Sequence, residues 1–234
     1  MSSRDEDRWT AWCTDFDEVE REVFALFHTR WMWRAITGLM NNGVPDKQHT
    51  VVQNYFVRTY VGTVCTAIRR EADNDTRTSS LARCLAVLVE CPHFATRARH
   101  VDAARQQRDT SGAAIRDDEL SETFHPFAPG GGDHIDPEVP ADALRRLTSA
   151  VAPVRKYTNK VLAHRERNGV VEELTPSWSE IDRALDEVGR ITQQFFALRH
   201  PGTQLASVTP VPDLRFISMF RVPWYSEAWK PPDD

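Results

Sequence analysis

The sequence predicts an all-α protein, an up-and-down bundle of about five long helices. Over several long stretches, apolar residues recur at intervals of three and four positions, which is the spacing of one helix face. Glycine and proline are concentrated in short segments between those stretches, where they end helices. Hydrophobic residues at 41% and charged residues at 27% are ordinary for a globular protein that buries a core.

The first predicted helix spans residues 6–41. Its apolar face carries Trp12, Phe16, Val19, Val23, Leu26, Trp33, Ile36 and Met40. The segment 41–45 ends this helix because Gly43 supplies a left-handed cap and Pro45 cannot continue it. Arg30 falls on the apolar face, where it either points toward an interior carboxylate or extends to the rim of the core.

The second predicted helix spans residues 45–72 and ends in a run of charged residues. The polar stretch 74–80 follows, and Thr78 or Ser79 is expected to cap a short third helix that stops at Pro92. Residues 94–110 are predicted to continue as a polar helix. Its arginines form either a phosphate-binding strip or a solvated helix face, and they are Arg97, Arg99, Arg105 and Arg108.

Residues 124–140 are predicted to form a mobile loop inside one helical domain of residues 1–205. Three consecutive glycines and four prolines exclude a helix interior here. The loop offers metal ligands in His125, Asp133 and His134. A flexible loop preorganises ligands poorly, so we interpret these residues as solvated and predict no metal site.

The fourth long helix is predicted over residues 141–167, where Pro153 should kink or divide it. For the last helix, two starts are open. Either Thr175 caps it with Pro176 in the first turn, or Ser177 and Glu180 form a capping box. Beyond this helix, residues 206–234 are rich in proline and aromatic residues, which predicts an extended tail packed on the bundle.

Net charge, hydrophobicity and cysteine content limit the functions that this protein can have. The formal charge of -5 excludes a broadly basic surface, so binding of nucleic acid would need a local cationic patch. No run of about 18 apolar residues occurs, and the acidic N-terminus is unlike a signal or transit peptide. The four cysteines form no CxxC pair, which favours free thiols in a reducing compartment. We therefore expect a cytoplasmic protein without a membrane partner.

The segment 155–165, RKYTNKVLAHR, carries the candidate chemistry. At 100° per residue, Tyr157 lies ~20° and Lys160 ~40° from His164 on one helix face. An imidazole titrates near ~6.5, so His164 beside a cation would suit a site that acts on a phosphodiester. The structural alternative is a helix-end histidine that interacts with the terminal carbonyl groups.

The residues N-K-V-L-A-H, from Asn159 to His164, resemble the RNKxxAH signature of HEPN domains. More narrowly, they are similar to the abortive-infection branch of that superfamily, which is called Abi-U-like. A second stretch, Arg70-Glu71-Ala72-Asp73 followed by Ser79-Ser80-Leu81, resembles an R-x-x-D…S-L pattern of the same branch. The resemblance covers residues 6–200 by helix order, and Thr158 stands where the signature has its arginine.

The resemblance implies a dimeric helical bundle from a bacterial defence or toxin–antitoxin system. Such a protein would bind RNA, and the family also includes endoribonucleases that need no metal or other cofactor. The catalytic candidates are His164, Asn159 and Lys160. The candidate nucleic-acid-binding residues are Arg69, Arg70, Tyr157 and Arg165.

The expected partners are a second copy of the chain, RNA, and an antitoxin or another defence-system protein. The alternative interpretation is a catalytically inactive dimeric scaffold or a nucleotide-binding module, which Thr158 supports. Arg69 and Arg70 also allow a purely structural interpretation, as helix-end charges with an exposed ion pair.

Overall fold

The computed structural model describes residues 3–43, 50–111, 121–163, 174–201 and residue 208. Over these ranges the chain forms six α-helices and no β-strand, which confirms the predicted all-helical bundle. None of the helices in this part of the chain combines the length and the apolar character that crossing a lipid bilayer requires.

The six helices follow one another along the chain with short 3-10 turns at Pro92–Phe94 and His125–Phe127. Their bounds are α1 Ser3–Gly43, α2 Thr50–Glu71, α3 Leu81–Glu90, α4 Arg97–Ser111, α5 Glu138–Tyr157 and α6 Trp178–Arg199. A π-helical turn, Thr158–Ala163, continues directly from α5. The fourth long helix, predicted over residues 141–167, is therefore α-helical to Tyr157 and π-helical to Ala163, and residues 164–167 lie outside the described residues.

The core lies where the apolar faces of α1, α2, α3, α5 and α6 meet. The predicted face of α1 is confirmed at Trp12, Phe16, Val19 and Val23, which are all at most 2% exposed, whereas Trp33 and Ile36 are only partly buried. The other helices contribute buried side chains at the same helical spacing, and these include Val64, Ile68, Leu81, Leu85, Leu147, Val151, Ile181, Leu185 and Val188.

Ion pairs fix the register of α1 against α6. Arg30 bonds Asp182 at 2.8 Å and Asp186 at 2.6 Å, and Arg199 Nε bonds Asp17 at 2.8 Å. Residue numbers rise along α1 as they fall along α6, so the two helices are antiparallel. The Arg30 side chain is 10% exposed, so it turns toward carboxylates at the edge of the core instead of extending to the solvent.

The junction between α2 and α3 is built from the second stretch that carries the family resemblance. Ser80, and not Thr78 or Ser79, caps α3, because its hydroxyl oxygen accepts the Arg83 N–H at 3.1 Å. The Ser80 hydroxyl also donates to the Asp73 carbonyl. The buried Glu71 carboxylate accepts the Leu81 N–H at 3.1 Å, so this stretch joins two helices.

The segment predicted as a mobile loop is anchored to the bundle. Phe124, Phe127 and Ile135 are at most 1% exposed. The Ile135 N–H donates to the Ala95 carbonyl at 2.9 Å, and the Arg97 N–H donates to the Asp133 carbonyl at 2.8 Å. Glycine and proline correctly indicated a break in the helical pattern, but the buried side chains correct the prediction of a loop that is free along its whole length.

The structure tests the predicted division of α5 at Pro153 and the two predicted starts of α6. Pro153 does not divide α5, which runs through it without a break. The capping box is the correct alternative at the start of α6, since Ser177 accepts the Glu180 N–H at 3.3 Å and Glu180 accepts the Ser177 N–H at 2.7 Å.

Candidate functional site

The end of α5 places two of the three catalytic candidates in a π-helical turn. Asn159 is partly buried and Lys160 is exposed, whereas Thr158 before them is only 3% exposed. The Thr158 hydroxyl donates to the Val154 carbonyl one turn back, a bond that bends helices. Single π-helical turns are rare and occur often at functional sites.

His164 and Arg165, the remaining candidates of this segment, lie outside the described residues. The angles that placed Lys160 next to His164 assumed 100° per residue. That value does not apply from Thr158 onward, because a π-helical turn closes its hydrogen bonds from residue i to i+5. That Lys160 and His164 lie close together therefore stays a prediction.

The π turn and Tyr157 pack against α2. Burial raises the pKa of the Tyr157 hydroxyl, with a smaller contribution from Cys65 on α2, so the tyrosine lies near this buried thiol. Tyr157 keeps its proton at neutral pH and can donate a hydrogen bond. It is thus suited to binding and not to accepting a proton.

The charge around the π turn is positive. Arg155, Lys156 and Lys160 are exposed, and residues 155–163 contain no acidic side chain. Cations at the C-terminal end of a helix are also favourable for the helix itself, because they face its partial negative charge. The same cations, with the Asn159 amide beside them, form a local patch that can contact phosphate groups on a protein of net negative charge.

Arg69 and Arg70 are not brought to this patch. Arg70 forms an ion pair with Glu22 of α1, and Arg69 is exposed at the same end of α2. Arg69 follows Cys65 by four residues, about 6 Å along the axis. The first turns of α5 lie beside the end of α3, and the last turn of α5 lies near Cys65 of α2. The π turn extends α5 in the same direction, toward the N-terminal half of α2. It therefore points away from Arg69 and Arg70.

Of the four arginines predicted on α4, Arg97 and Arg99 bond neighbouring segments and Arg105 bonds Asp102 at 3.0 Å, while the side chain of Arg108 lies outside the described part of the structure. The Arg97 guanidinium donates to the carbonyls of Ser121 at 2.8 Å and Gly132 at 3.1 Å. The Arg99 side chain is 9% exposed, bonds Glu6 at 2.7 Å and donates to the Phe94 carbonyl at 2.8 Å. Both arginines therefore tie α4 to neighbouring segments, and neither is a solvated helix face.

Two groupings were not predicted from the sequence because their members come from distant segments. In the first, one oxygen or nitrogen from each of Asp17, Glu20 and His200 lies within 4.8 Å of the others. Arg199 already bonds both Asp17 oxygens, at 2.8 and 3.0 Å, and His200 bonds Glu20 at 2.9 Å. We interpret this cluster as an ion-pair network that fixes the end of α6 to α1.

The second grouping is a cleft among α1, the N-terminal half of α2 and the start of α6. Its volume is about 440 Å³, within the range of small-molecule sites. We call it the aromatic cleft, and the residues that line it include Trp33, Arg34, Gln53, Tyr60, Trp178 and Asp182. Tyr60 of the cleft lies five residues before Cys65 on α2, the helix that the π turn also contacts.

Comparisons of the chain with models of protein families, with curated proteins and with solved structures found no match. Membership of the HEPN superfamily therefore stays a prediction from the residues at the end of α5 and at the α2–α3 junction.

Proposed function

We propose that this chain is a HEPN-like RNA-binding protein of a bacterial defence or toxin–antitoxin system. The observation that carries the proposal is the π-helical turn, which holds Asn159 and Lys160, five and four residues before His164 in the chain. Binding to RNA through this turn agrees with a net charge of -5, because the contact requires only a local patch.

The resemblance adds a reaction to this binding site. His164 would remove the proton of a ribose 2′-hydroxyl, whose oxygen then attacks the adjacent phosphorus. The 5′-oxygen of the next nucleotide leaves and receives a proton. The products are a 2′,3′-cyclic phosphate and a free 5′-hydroxyl. An imidazole suits both proton transfers because it titrates near neutral pH.

One observation favours a second candidate, a dimeric scaffold that has the fold without the reaction. Thr158 occupies the position of the signature arginine, and its side chain is buried with its hydroxyl bonded to the Val154 carbonyl. This position therefore carries no cation. Lys160 supplies positive charge nearby, but it lacks the planar fork with which an arginine binds a phosphate through two bonds.

Incubation of the purified protein with mixed RNA in EDTA distinguishes the two candidates. If His164 is catalytic, we expect cleavage that persists in the chelator and leaves cyclic-phosphate ends. The His164→Ala variant should then lose the cleavage while it retains RNA affinity, since the imidazole acts in proton transfer. We expect a reduction of two orders of magnitude or more, as is typical for the loss of a general acid or base.

The remaining outcomes separate the candidates as follows. RNA binding without cleavage in the wild-type protein would support the binding function and exclude the reaction. Absence of both, together with a dimer in sedimentation, would favour the scaffold. Cleavage that EDTA abolishes would contradict the metal-independent reaction.

A further inference from the structure

The aromatic cleft contains three rings that lie nearly parallel. The Trp33 ring stacks on Tyr60 with centroids 4.7 Å apart and planes 15° apart. Trp178 stacks on Trp33 at 5.8 Å and 14°, and on Tyr60 at 6.1 Å and 30°. Parallel rings of this kind present flat faces, which is the geometry that accepts another flat ring.

Trp178 is the exposed member of the stack. It is 49% exposed, and among the described residues only Tyr55 is a large hydrophobic side chain with comparable exposure. Tryptophan is highly buried on average, so a half-exposed ring at the mouth of a cleft is available for contact with a ligand. The capping box at Ser177 fixes the start of α6 and therefore the position of this ring.

Polar groups stand around the rings. Asp182 is bonded at 2.8 Å by the largely buried Arg30 and at 3.3 Å by Arg34, whose side chain is 60% exposed. Arg30 is shared between Asp182 and Asp186, and the exposed Arg34 makes the longest of these contacts, so its guanidinium keeps N–H donors that can turn toward an anion. Tyr60 remains a hydrogen-bond donor at neutral pH, since burial and Asp182 raise its pKa to about 12.

We propose that the aromatic cleft binds an unpaired nucleobase, stacked on Trp178, with the attached phosphate bound by Arg34. The Gln53 amide and the Asp182 carboxylate line the same cleft and offer donors and acceptors to the edge of a base.

The nucleobase has two sources, a single RNA strand or a free nucleotide. The single strand would extend the proposed RNA-binding function and rests on it, since both the cleft and the π turn contact α2. One strand could then place a base in the cleft and its backbone along the π turn. The free nucleotide requires no RNA binding at the π turn, so the two sources can be tested separately.

The test compares the affinity of the full chain for a labelled single-stranded 8-mer RNA and for AMP. Trp178→Ala removes the stacking face, and we expect its affinity for the bound ligand to fall about 5- to 100-fold, the range for loss of one base–aromatic stack. Trp178→Phe retains a ring and should retain most of the affinity. Tyr55→Ala is the matched control, because Tyr55 is a 66% exposed aromatic residue of α2 outside the cleft. Circular dichroism verifies that each variant is folded.

Loss of affinity in folded Trp178→Ala but not in Tyr55→Ala supports the cleft. The ligand that shows the loss identifies the source. Binding of AMP without RNA would support the cleft and contradict the proposed RNA-binding function. Tight RNA binding that Trp178→Ala leaves unchanged, together with no binding of AMP, would overturn the cleft and leave the proposed function intact. Failure to bind either ligand overturns both.

Discussion

Replacing Glu71 by glutamine is expected to abolish the loss of stability that ionisation of this buried group causes in the wild-type protein as the pH rises from 4.5 to 8. Glu71 is 2% exposed, and burial is the main cause that raises its pKa from the ordinary 4.5 to about 7, against the lowering effect of the Leu81 N–H and Arg70. Between these two values the unfolded chain is ionised while the folded protein keeps the proton. The stability that protonated Glu71 contributes is therefore fully present below pH 4.5 and is lost as the pH rises to about 7.

The difference between the two pKa values corresponds to ~3 kcal/mol. Glutamine cannot ionise, and its side-chain oxygen can still accept the Leu81 N–H. The free energy of unfolding of Glu71→Gln relative to wild type should accordingly rise by up to ~3 kcal/mol between pH 4.5 and pH 8, as measured by urea denaturation at each pH.

Glu90→Gln is the matched control for this experiment, since Glu90 is a 58% exposed carboxylate on the adjacent helix α3. For Glu90→Gln, the free energy of unfolding plotted against pH should run parallel to that of the wild-type protein. If the Glu71→Gln curve is also parallel to the wild-type curve, the carboxyl group ionises normally and is not buried at the α2–α3 junction.

Replacing Gly189 by alanine should destabilise the protein by ~1–3 kcal/mol, although alanine is the better helix former. A Cβ atom at this position would lie 2.5 Å from Cζ of Phe27 and 3.0 Å from Cγ2 of Val208. Phe27 is 5% exposed and Val208 is 7% exposed, so neither side chain has open space into which it can move. Glycine is thus required by the close approach of α1 and α6, and thermal or urea denaturation measures the loss.

Gly62→Ala provides the opposite case within α2. A Cβ atom there has no neighbour within 4 Å, so the substitution should stabilise the protein by ~0.5–1 kcal/mol through helix propensity alone. Equal gains in both variants would show that α1 and α6 do not approach each other closely at Gly189.

The helices and much of the core were predictable because they depend on local sequence. The spacing of Trp12, Phe16, Val19 and Val23 identified the buried face of α1, and the Ser177–Glu180 capping box was one of the two starts that the sequence offered for α6. Tertiary partners were not predictable in this way. Arg99 resembled a surface cation because its partner Glu6 is 93 residues away in sequence.

The candidate site was predictable only in part, for two physical reasons. The segment around Asn159 stood out as a motif, but the π turn did not, because a helical wheel assumes regular α-helical hydrogen bonds up to the end of the apolar pattern. The aromatic cleft depends on Trp33, Tyr60 and Trp178, which come from three helices. Only their packing brings the rings together.

The salt dependence of RNA affinity tests the central claim, that RNA is bound at the end of α5. Fluorescence anisotropy with a labelled single-stranded RNA, measured across salt concentrations, should show weaker binding for Lys160→Gln and a slope of log affinity against log salt reduced by ~0.7, as for one lost phosphate contact. Arg145→Gln, at a 62% exposed position about 18 Å before the end of α5, should match the wild-type protein in both respects. Identical affinities and slopes for Lys160→Gln and the wild-type protein would contradict the claim.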